Sequence, residues 1–343
     1  MDICYVTLPN YPTTRSGKGQ DRYAYELIKG ASQFPGSNVL ALSSPVSRRN
    51  YLIRELETIS QLRGISANVY HATSEYGLRS ILVTRKRHTV VTVHDLIPHL
   101  FLRHSPIVYA NQLMHLSLVR LADRIITHSR FYSEFLARIY KIPAQQVEVT
   151  HYGVDHNNFQ RKIGRARNAT PRILFLGSLN QLKGVGDVIE AFAKFSKSLT
   201  SELVIAGRGK LSKDLKELAS RLDVSKVTAF PGFVDETFLP QLYNSVDVVV
   251  WPSRSGFGLP ILEGMACGTP VIGADCLDAK EYLGDGGLSY APGDIPNLDE
   301  QLHRVLESDR SWRHWSERAL KWSENFSWEH MASQVCQSYL KIQ

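Results

Sequence analysis

The chain has 343 residues, of which 43% are hydrophobic and 21% charged, a composition that supports packed cores and argues against extended disorder. A chain of that length favours two domains over one. Its net charge of +7 is unevenly spread: Met1–Arg167 holds 22 Lys/Arg against 11 Asp/Glu, a net of +11, and the rest holds 18 against 22, a net of −4. An anionic partner would therefore meet the N-terminal half, where Arg85-Lys86-Arg87-His88 is the one tight cluster. Anionic lipid or a phosphorylated acceptor fits that balance. No nucleic-acid recognition motif accompanies it, so nucleic acid is not an expected partner. Cys4, Cys267, Cys276 and Cys336 are scattered without a C-x-x-C pair, which reads as reduced structural thiols in a cytosolic protein. No apolar run approaches the roughly 20 residues that span a bilayer. The opening Met1-Asp2-Ile3-Cys4-Tyr5-Val6 reads as a buried first strand rather than a leader.

In chain order, short apolar runs alternate with longer amphipathic ones. Strands are expected at Ile3–Leu8, Asn38–Leu42, Val69–Ala72, Thr89–Val93, Arg124–Thr127 and Val147–Thr150, and helices at Arg22–Ser32, Tyr51–Arg63, Pro106–Leu121 and Arg130–Ile139. Gln160–Pro171 is polar and nearly free of large apolar residues, which is linker composition. The pattern then restarts, with strands at Arg172–Leu176, Glu202–Ala206, Val227–Ala229, Val246–Trp251 and Val271–Ala274 and helices such as Val185–Ser196 and Ser212–Leu222. Two such arrays predict an α/β protein with two Rossmann-like domains, 1–165 and 168–325, facing a cleft. Residues 326–343 are expected to form a closing helix that crosses back to the first domain. Trp312, Trp315, Trp322 and Trp328 stand at near-helical spacing, more in keeping with a packed helical face than with a sugar-stacking platform.

The most informative segment runs from Pro252 to Ile272 and includes Ser255-Gly256-Phe257-Gly258-Leu259-Pro260 followed by Glu263. An apolar strand enters a glycine-rich turn, and a helix starts near Pro260, where proline is tolerated. Glycines let the backbone approach a ligand, and the N–H groups of the helix start suit a diphosphate. Glu263, one turn in, could accept hydrogen bonds from sugar or ribose hydroxyls.

This block resembles the signature of the retaining glycosyltransferases of family 4, which have the GT-B fold. The resemblance extends along the chain. Gly17-Lys18-Gly19 with Arg22-Tyr23 looks like the family's N-terminal glycine loop, and Thr92-Val93-His94-Asp95-Leu96-Ile97-Pro98 like its histidine segment. Tyr152-Gly153-Val154-Asp155 resembles its N-G-V-D turn, Phe175-Leu176-Gly177-Ser178-Leu179 with Lys183-Gly184 its phosphate segment, and Gly284-Asp285-Gly286-Gly287-Leu288 its G-D-A-G-L. Three positions depart from the pattern. Ser255 stands where the first signature glutamate is usual, in a turn one residue shorter; Ser178 replaces an arginine; Tyr152 replaces an asparagine.

The resemblance implies a hexosyltransferase that takes its sugar from a nucleotide diphosphate with retention, without metal or other cofactor. The histidine segment favours GDP-mannose over UDP-hexoses, and the acceptor would be a glycan or lipid-linked sugar. Donor binding would fall to Gly17, Gly19, Ser178, Lys183, Arg208, Ser255, Gly256, Phe257, Gly258, Leu259 and Glu263, and catalysis to His94, Asp95 and Lys183. Arg208, after a strand, could replace the missing arginine. Lys183 and the backbone N–H groups around Phe257–Leu259 would stabilise charge on the departing phosphate. No D-x-D triplet is present to bridge a metal, and no carboxylate pair suggests a double displacement. The glycine block argues against an epimerase or inverting transferase. The departures also fit a protein of the same fold that binds a nucleotide sugar, or acts as a scaffold, without turnover. The expected location is cytoplasmic, peripheral on the inner membrane face. His99, His104, His115 and His128 read as structural, and His71 is left open.

Overall fold

The computed structural model describes residues 1–7, 19–43, 51–94, 96, 100–101 and 105–342. The expected site residues Gly17 and Asp95 lie outside the described residues. The chain divides into two compact units, Met1–Gly153 with Trp328–Gln343, and Val154–Ser327.

The first unit contains β1 (Asp2–Val6), α1 (Gly19–Gln33), β2 (Asn38–Leu42), α2 (Tyr51–Arg63), β3 (Val69–Ala72), α3 (Glu75–Val83), β4 (Thr89–Val93), α4 (Pro106–Val119), β5 (Arg124–Thr127), α5 (Arg130–Tyr140) and β6 (Val147–Val149). Its six strands form one parallel sheet in the order β2-β1-β3-β4-β5-β6. Every residue of β3 and β4 is buried, which is why neither strand shows an apolar–polar alternation; His71, Thr89 and Thr92 are their buried polar residues. Ser129 begins α5 by accepting the Tyr132 N–H at 3.2 Å.

The second unit contains β7 (Arg172–Leu176), α6 (Val185–Phe195), β8 (Glu202–Ala206), α7 (Ser212–Arg221), β9 (Thr228–Gly232), α8 (Leu239–Asn244), β10 (Val248–Trp251), α9 (Leu259–Ala266), β11 (Val271–Ala274), α10 (Ala279–Leu283), β12 (Leu288–Tyr290), α11 (Ile295–Leu306) and α12 (Asp309–Ser323). The sheet order is β12-β11-β10-β7-β8-β9, again parallel throughout. On α6, Val188, Ile189, Phe192 and Phe195 fall at helical spacing and are fully buried in the core beside Ile173, Phe175 and Ile205. Each such side chain contributes about 1.5–3 kcal/mol on leaving water. Strand β12 was not anticipated; it begins at Leu288, the last residue of the Gly284–Leu288 motif.

The last helix, α13 (Trp328–Leu340), belongs to the first unit and packs on α1, where a Cβ on Gly30 would lie 2.4 Å from that of Ala332. The tryptophan-rich stretch is packed, as its spacing suggests, but it is split. Trp312 and Trp315 are buried on α12, and Trp328 is buried on α13 in the other unit. The polar segment read as a linker is not one. The Arg165 guanidinium donates to Cys267 O (2.7 Å), Thr269 Oγ1 (2.8 Å) and Val246 O, and Asn168 donates to the Asp247 carboxylate through N (2.8 Å) and Nδ2 (2.9 Å). The segment is polar because it makes these bonds, and the unit boundary falls earlier, at Gly153–Val154.

Candidate active site

Strand order selects the place in the second unit. Counted from β7, its sheet runs 3-2-1-4-5-6 in reverse, so β7 and β10 are neighbours from which the chain winds outward in opposite directions. In such sheets the crevice beyond the carboxyl ends of these two strands is where ligands bind. The loops there are Gly177–Gly184 after β7 and Pro252–Gly258 after β10, both among the second-unit segments that the sequence singled out.

Trp251, the last residue of β10, organises the turn. Its Nε1 donates to Gly256 O at 2.9 Å, and its ring stacks on Phe175 with centroids 6.4 Å apart. A Cβ on Gly258 would lie 2.2 Å from that ring, so no larger residue fits this close approach. Ser253 and Ser255 are buried with their hydroxyls 2.9 Å apart, and the Ser255 N–H donates to Ser253 Oγ at 3.2 Å. Arg254 reaches the Asp187 carboxylate on α6 at 3.1 Å.

Lys183 meets this turn from the other loop. Asn180 caps the preceding helical turn by accepting the Lys183 N–H at 3.2 Å. Gly184 then turns the chain at φ +61°, where a Cβ would lie 2.4 Å from Pro252 O. The Lys183 ammonium donates to Ser255 Oγ at 3.1 Å and Ser253 Oγ at 3.3 Å, and sits 4.6 Å from the Trp251 ring centre. A cation thus stands among hydroxyls beside the start of α9, where the Gly258 and Leu259 N–H groups precede the first bond of the helix, from the Ile261 N–H to Gly258 O at 3.0 Å. This arrangement suits an anion.

The structure revises part of the expected donor set. The Phe257 N–H donates to Asp278 Oδ1 at 2.8 Å and its ring stacks on Tyr282 at 3.7 Å, so that N–H serves the turn rather than a ligand. Pro260 has no N–H, which leaves Gly258 and Leu259 to face an anion. Glu263 is buried, and its Oε2 accepts the Tyr243 hydroxyl at 2.7 Å. Ser178 is exposed and accepts from Asn180 Nδ2 at 2.9 Å. Arg208 is also exposed, with its guanidinium 5.8 Å from the Phe233 ring, and lines a pocket of about 310 Å³ together with Leu179, Gly209, Lys216 and Gly232. Trp251, Tyr243 and Asp278 were not singled out from the sequence. A tryptophan ending a strand just before the glycine turn was a readable signal, whereas Asp278 stands 21 residues beyond Phe257 with no motif around it.

In the first unit His94 follows β4 and is buried. Its Nε2 lies 2.7 Å from Thr73 O and its Nδ1 2.5 Å from the Tyr152 hydroxyl. A carbonyl only accepts, so Nε2 carries the proton and Nδ1 accepts from Tyr152. Burial, followed by nearby His128, pulls the His94 pKa from 6.5 to about 3, so the ring is neutral. Both nitrogens are engaged within the unit, and Tyr152, one of the three departures, makes one of those bonds. The question left open for His71 is answered by a buried chain of contacts. Its Nδ1 meets Tyr339 Oη (2.6 Å), which meets Tyr5 Oη (3.0 Å); its Nε2 meets Thr92 Oγ1 (2.8 Å), which meets Tyr23 Oη (2.9 Å). His71 is structural. Gly19 opens α1. Among the described residues, no group of three or more His, Cys, Asp or Glu side chains is placed to hold a metal ion, and no helix is long and apolar enough to cross a membrane.

Comparison with known proteins gives the same reading of both halves. Residues 15–158 match the family described as Glycosyltransferase Family 4, and residues 156–322 match Glycosyl transferases group 1. The chain is 27% identical over 389 residues to the O-antigen chain mannosyltransferase B of Escherichia coli, across 99% of each protein. Several further relatives match about two thirds of this chain and little more than half of their own length. Sucrose-phosphate synthase of Thermosynechococcus elongatus has a TM-score of 0.83 at 19% identity, over 99% of this chain and 98% of that one. Anabaena Alr3699/HepE, solved in complex with UDP and glucose, has a TM-score of 0.79 at 17% identity, over 99% of this chain and 100% of that one. With profiles that jointly span 15–322 and two parallel six-stranded sheets, the chain belongs to the GT4-type glycosyltransferases of the GT-B fold.

Proposed function

We propose that this glycosyltransferase moves a hexose from a nucleotide diphosphate to a glycan or lipid-linked acceptor with retention and without a metal, GDP-mannose being favoured over a UDP-hexose. The observation that carries the reading is the Lys183 ammonium 3.1 Å from Ser255 Oγ beside the start of α9. As the bond from the anomeric carbon to the diphosphate oxygen breaks, negative charge grows on the diphosphate. A fixed ammonium and the Gly258 and Leu259 N–H groups stabilise that charge without reorganising, which is the part a divalent cation would otherwise play. The acceptor oxygen bonds to the anomeric carbon on the same face, and its proton passes to the departing phosphate. The pocket beside Arg208 adjoins the same loop through Leu179 and has room for part of the nucleoside. The mannosyltransferase relative of nearly equal length supports the choice of donor, and the UDP complex of the Anabaena neighbour keeps UDP-hexoses as the comparison arm.

The test is a thermal-shift series of the purified protein with GDP, UDP, ADP and their sugar conjugates, with and without EDTA. A donor held well above its Kd raises the melting temperature by mass action. The expected outcome is a rise with GDP and GDP-mannose that EDTA leaves unchanged. A rise with UDP compounds alone would overturn the donor assignment. Loss of the rise in EDTA would overturn metal independence, and no rise with any nucleotide would overturn the donor site.

A further inference from the structure

We infer that Asp278 is a positioning residue for the transfer: its side chain fixes the glycine turn after β10, and with it the Gly258 and Leu259 N–H groups that receive the diphosphate. An aspartate directly before a helix ordinarily accepts an N–H of that helix's own first turn. Asp278 directly precedes α10 and is buried, yet its side chain makes no such bond. Its Oδ1 instead accepts the Phe257 N–H at 2.8 Å, 21 residues back in the chain. The contact is close enough to dictate its neighbour. Gly256 stands at φ +81°, and a Cβ there would lie 2.2 Å from Asp278 Oδ1 and 3.3 Å from Leu277 Cβ. The turn from Ser253 to Gly258 holds no carboxylate of its own, so this acceptor has to come from another strand's loop.

The rest of the segment after β11 grips the same turn. Strands β10 and β11 pair in parallel with Trp251 opposite Gly273, so the loops leaving their carboxyl ends run side by side. The Cys276 thiol donates to Arg254 O at 3.0 Å, and the Tyr282 ring stacks on Phe257 with centroids 3.7 Å apart. Phe257 is thereby held at its N–H and at its ring. Between Cys276 and Asp278, Leu277 takes φ +52°, a left-handed conformation that a leucine keeps only where its surroundings impose it. Gly258 and Leu259 are the next two residues after Phe257, so any shift of Phe257 carries their N–H groups with it. What the site takes from Asp278 is an acceptor. A carboxylate accepts an N–H about twice as strongly as a neutral oxygen, and its charge opposes that of the diphosphate. Acceptance and charge therefore act in opposite directions and can be separated by substitution.

This role presupposes the proposed donor site, and the experiment separates the two. The parent, Asp278→Asn and Asp278→Ala would be compared by steady-state kinetics with the donor, and the parent by hydrogen exchange resolved to single amides, without and with GDP. Asparagine still accepts the Phe257 N–H through its side-chain oxygen. Asp278→Asn should keep kcat within about fivefold of the parent and lower the donor KM, because a negative charge leaves the neighbourhood of the diphosphate. Asp278→Ala should lower kcat about 10²-fold, the effect of misplacing the donors by about 1 Å. In the parent, after correction for intrinsic rates, the Phe257 amide should exchange more slowly than those of Gly258 and Leu259, and GDP should slow only the latter two. An alanine variant that turns over like the parent would overturn the positioning role alone, as would an asparagine variant as impaired as alanine. A Phe257 amide that exchanges as fast as its neighbours would overturn it without any variant, so the result does not depend on the alanine variant folding. A parent that binds no nucleotide would instead overturn the donor site, and the role of Asp278 with it.

Discussion

Acidification from pH 7 to pH 5 should loosen the first unit selectively, because two of its buried histidines are held neutral. Burial, followed by the neighbouring imidazole of His94, lowers the His71 pKa from 6.5 to about 3; burial and His128 lower that of His94 to about 3. In the unfolded chain both rings titrate near 6.5. Since the folded pKa lies below the unfolded one, the stability these groups contribute is complete above pH 6.5 and is lost as pH falls toward 3. At pH 5 protonation favours the unfolded chain by about 2 kcal/mol per histidine, or about 4 kcal/mol for the pair. That is a large part of the roughly 5–15 kcal/mol that holds a domain. His115, lowered to about 4 by burial and then by Arg79, acts in the same direction. Hydrogen exchange read by mass spectrometry should therefore show reduced protection of β3 and β4 at pH 5, after correction for intrinsic rates, with β7 and β8 little changed. Equal protection of β3 and β4 at the two pH values would refute the reasoning, as would an equal loss in β7 and β8.

Lys183→Ala should lower kcat about 10²- to 10³-fold with a smaller change in KM for the donor, because its charge matters most as the leaving group forms; steady-state kinetics with an unchanged kcat would remove Lys183 from the chemistry. Gly184→Ala puts a Cβ at φ +61° and 2.4 Å from Pro252 O, so the Lys183 loop must move. We expect a loss of about 1–3 kcal/mol and weaker nucleotide binding, and an unaltered melting curve with unaltered binding would contradict the described turn. Tyr152→Phe leaves the buried Nδ1 of His94 without its donor and should cost about 1–3 kcal/mol in urea unfolding. A cost near zero would mean that this hydroxyl does not satisfy His94.

Much of the local structure was legible in the amino-acid sequence. Strands at Asn38–Leu42, Val69–Ala72, Thr89–Val93, Arg124–Thr127, Arg172–Leu176, Glu202–Ala206 and Val271–Ala274 have the bounds that their apolar runs indicated. A strand buried on both faces must be apolar throughout, and a helix on a sheet must repeat its apolar residues every turn, so both signals are local. The glycine turn before α9 and the loop carrying Lys183 were legible for a related reason, because close backbone approach demands glycine at particular places in the chain. What tertiary structure alone decided is which of these segments meet. The pairing of β7 with β10 brings Lys183 to Ser253 and Ser255, and the pairing of β10 with β11 brings Asp278 to the Phe257 N–H. Likewise Tyr152, 58 residues beyond His94, is its partner only because both are packed beside Tyr23 and His128. Local pattern specifies each element from its own residues, whereas strand order and buried hydrogen bonds join residues far apart in the chain, and only packing of the whole unit selects those partners.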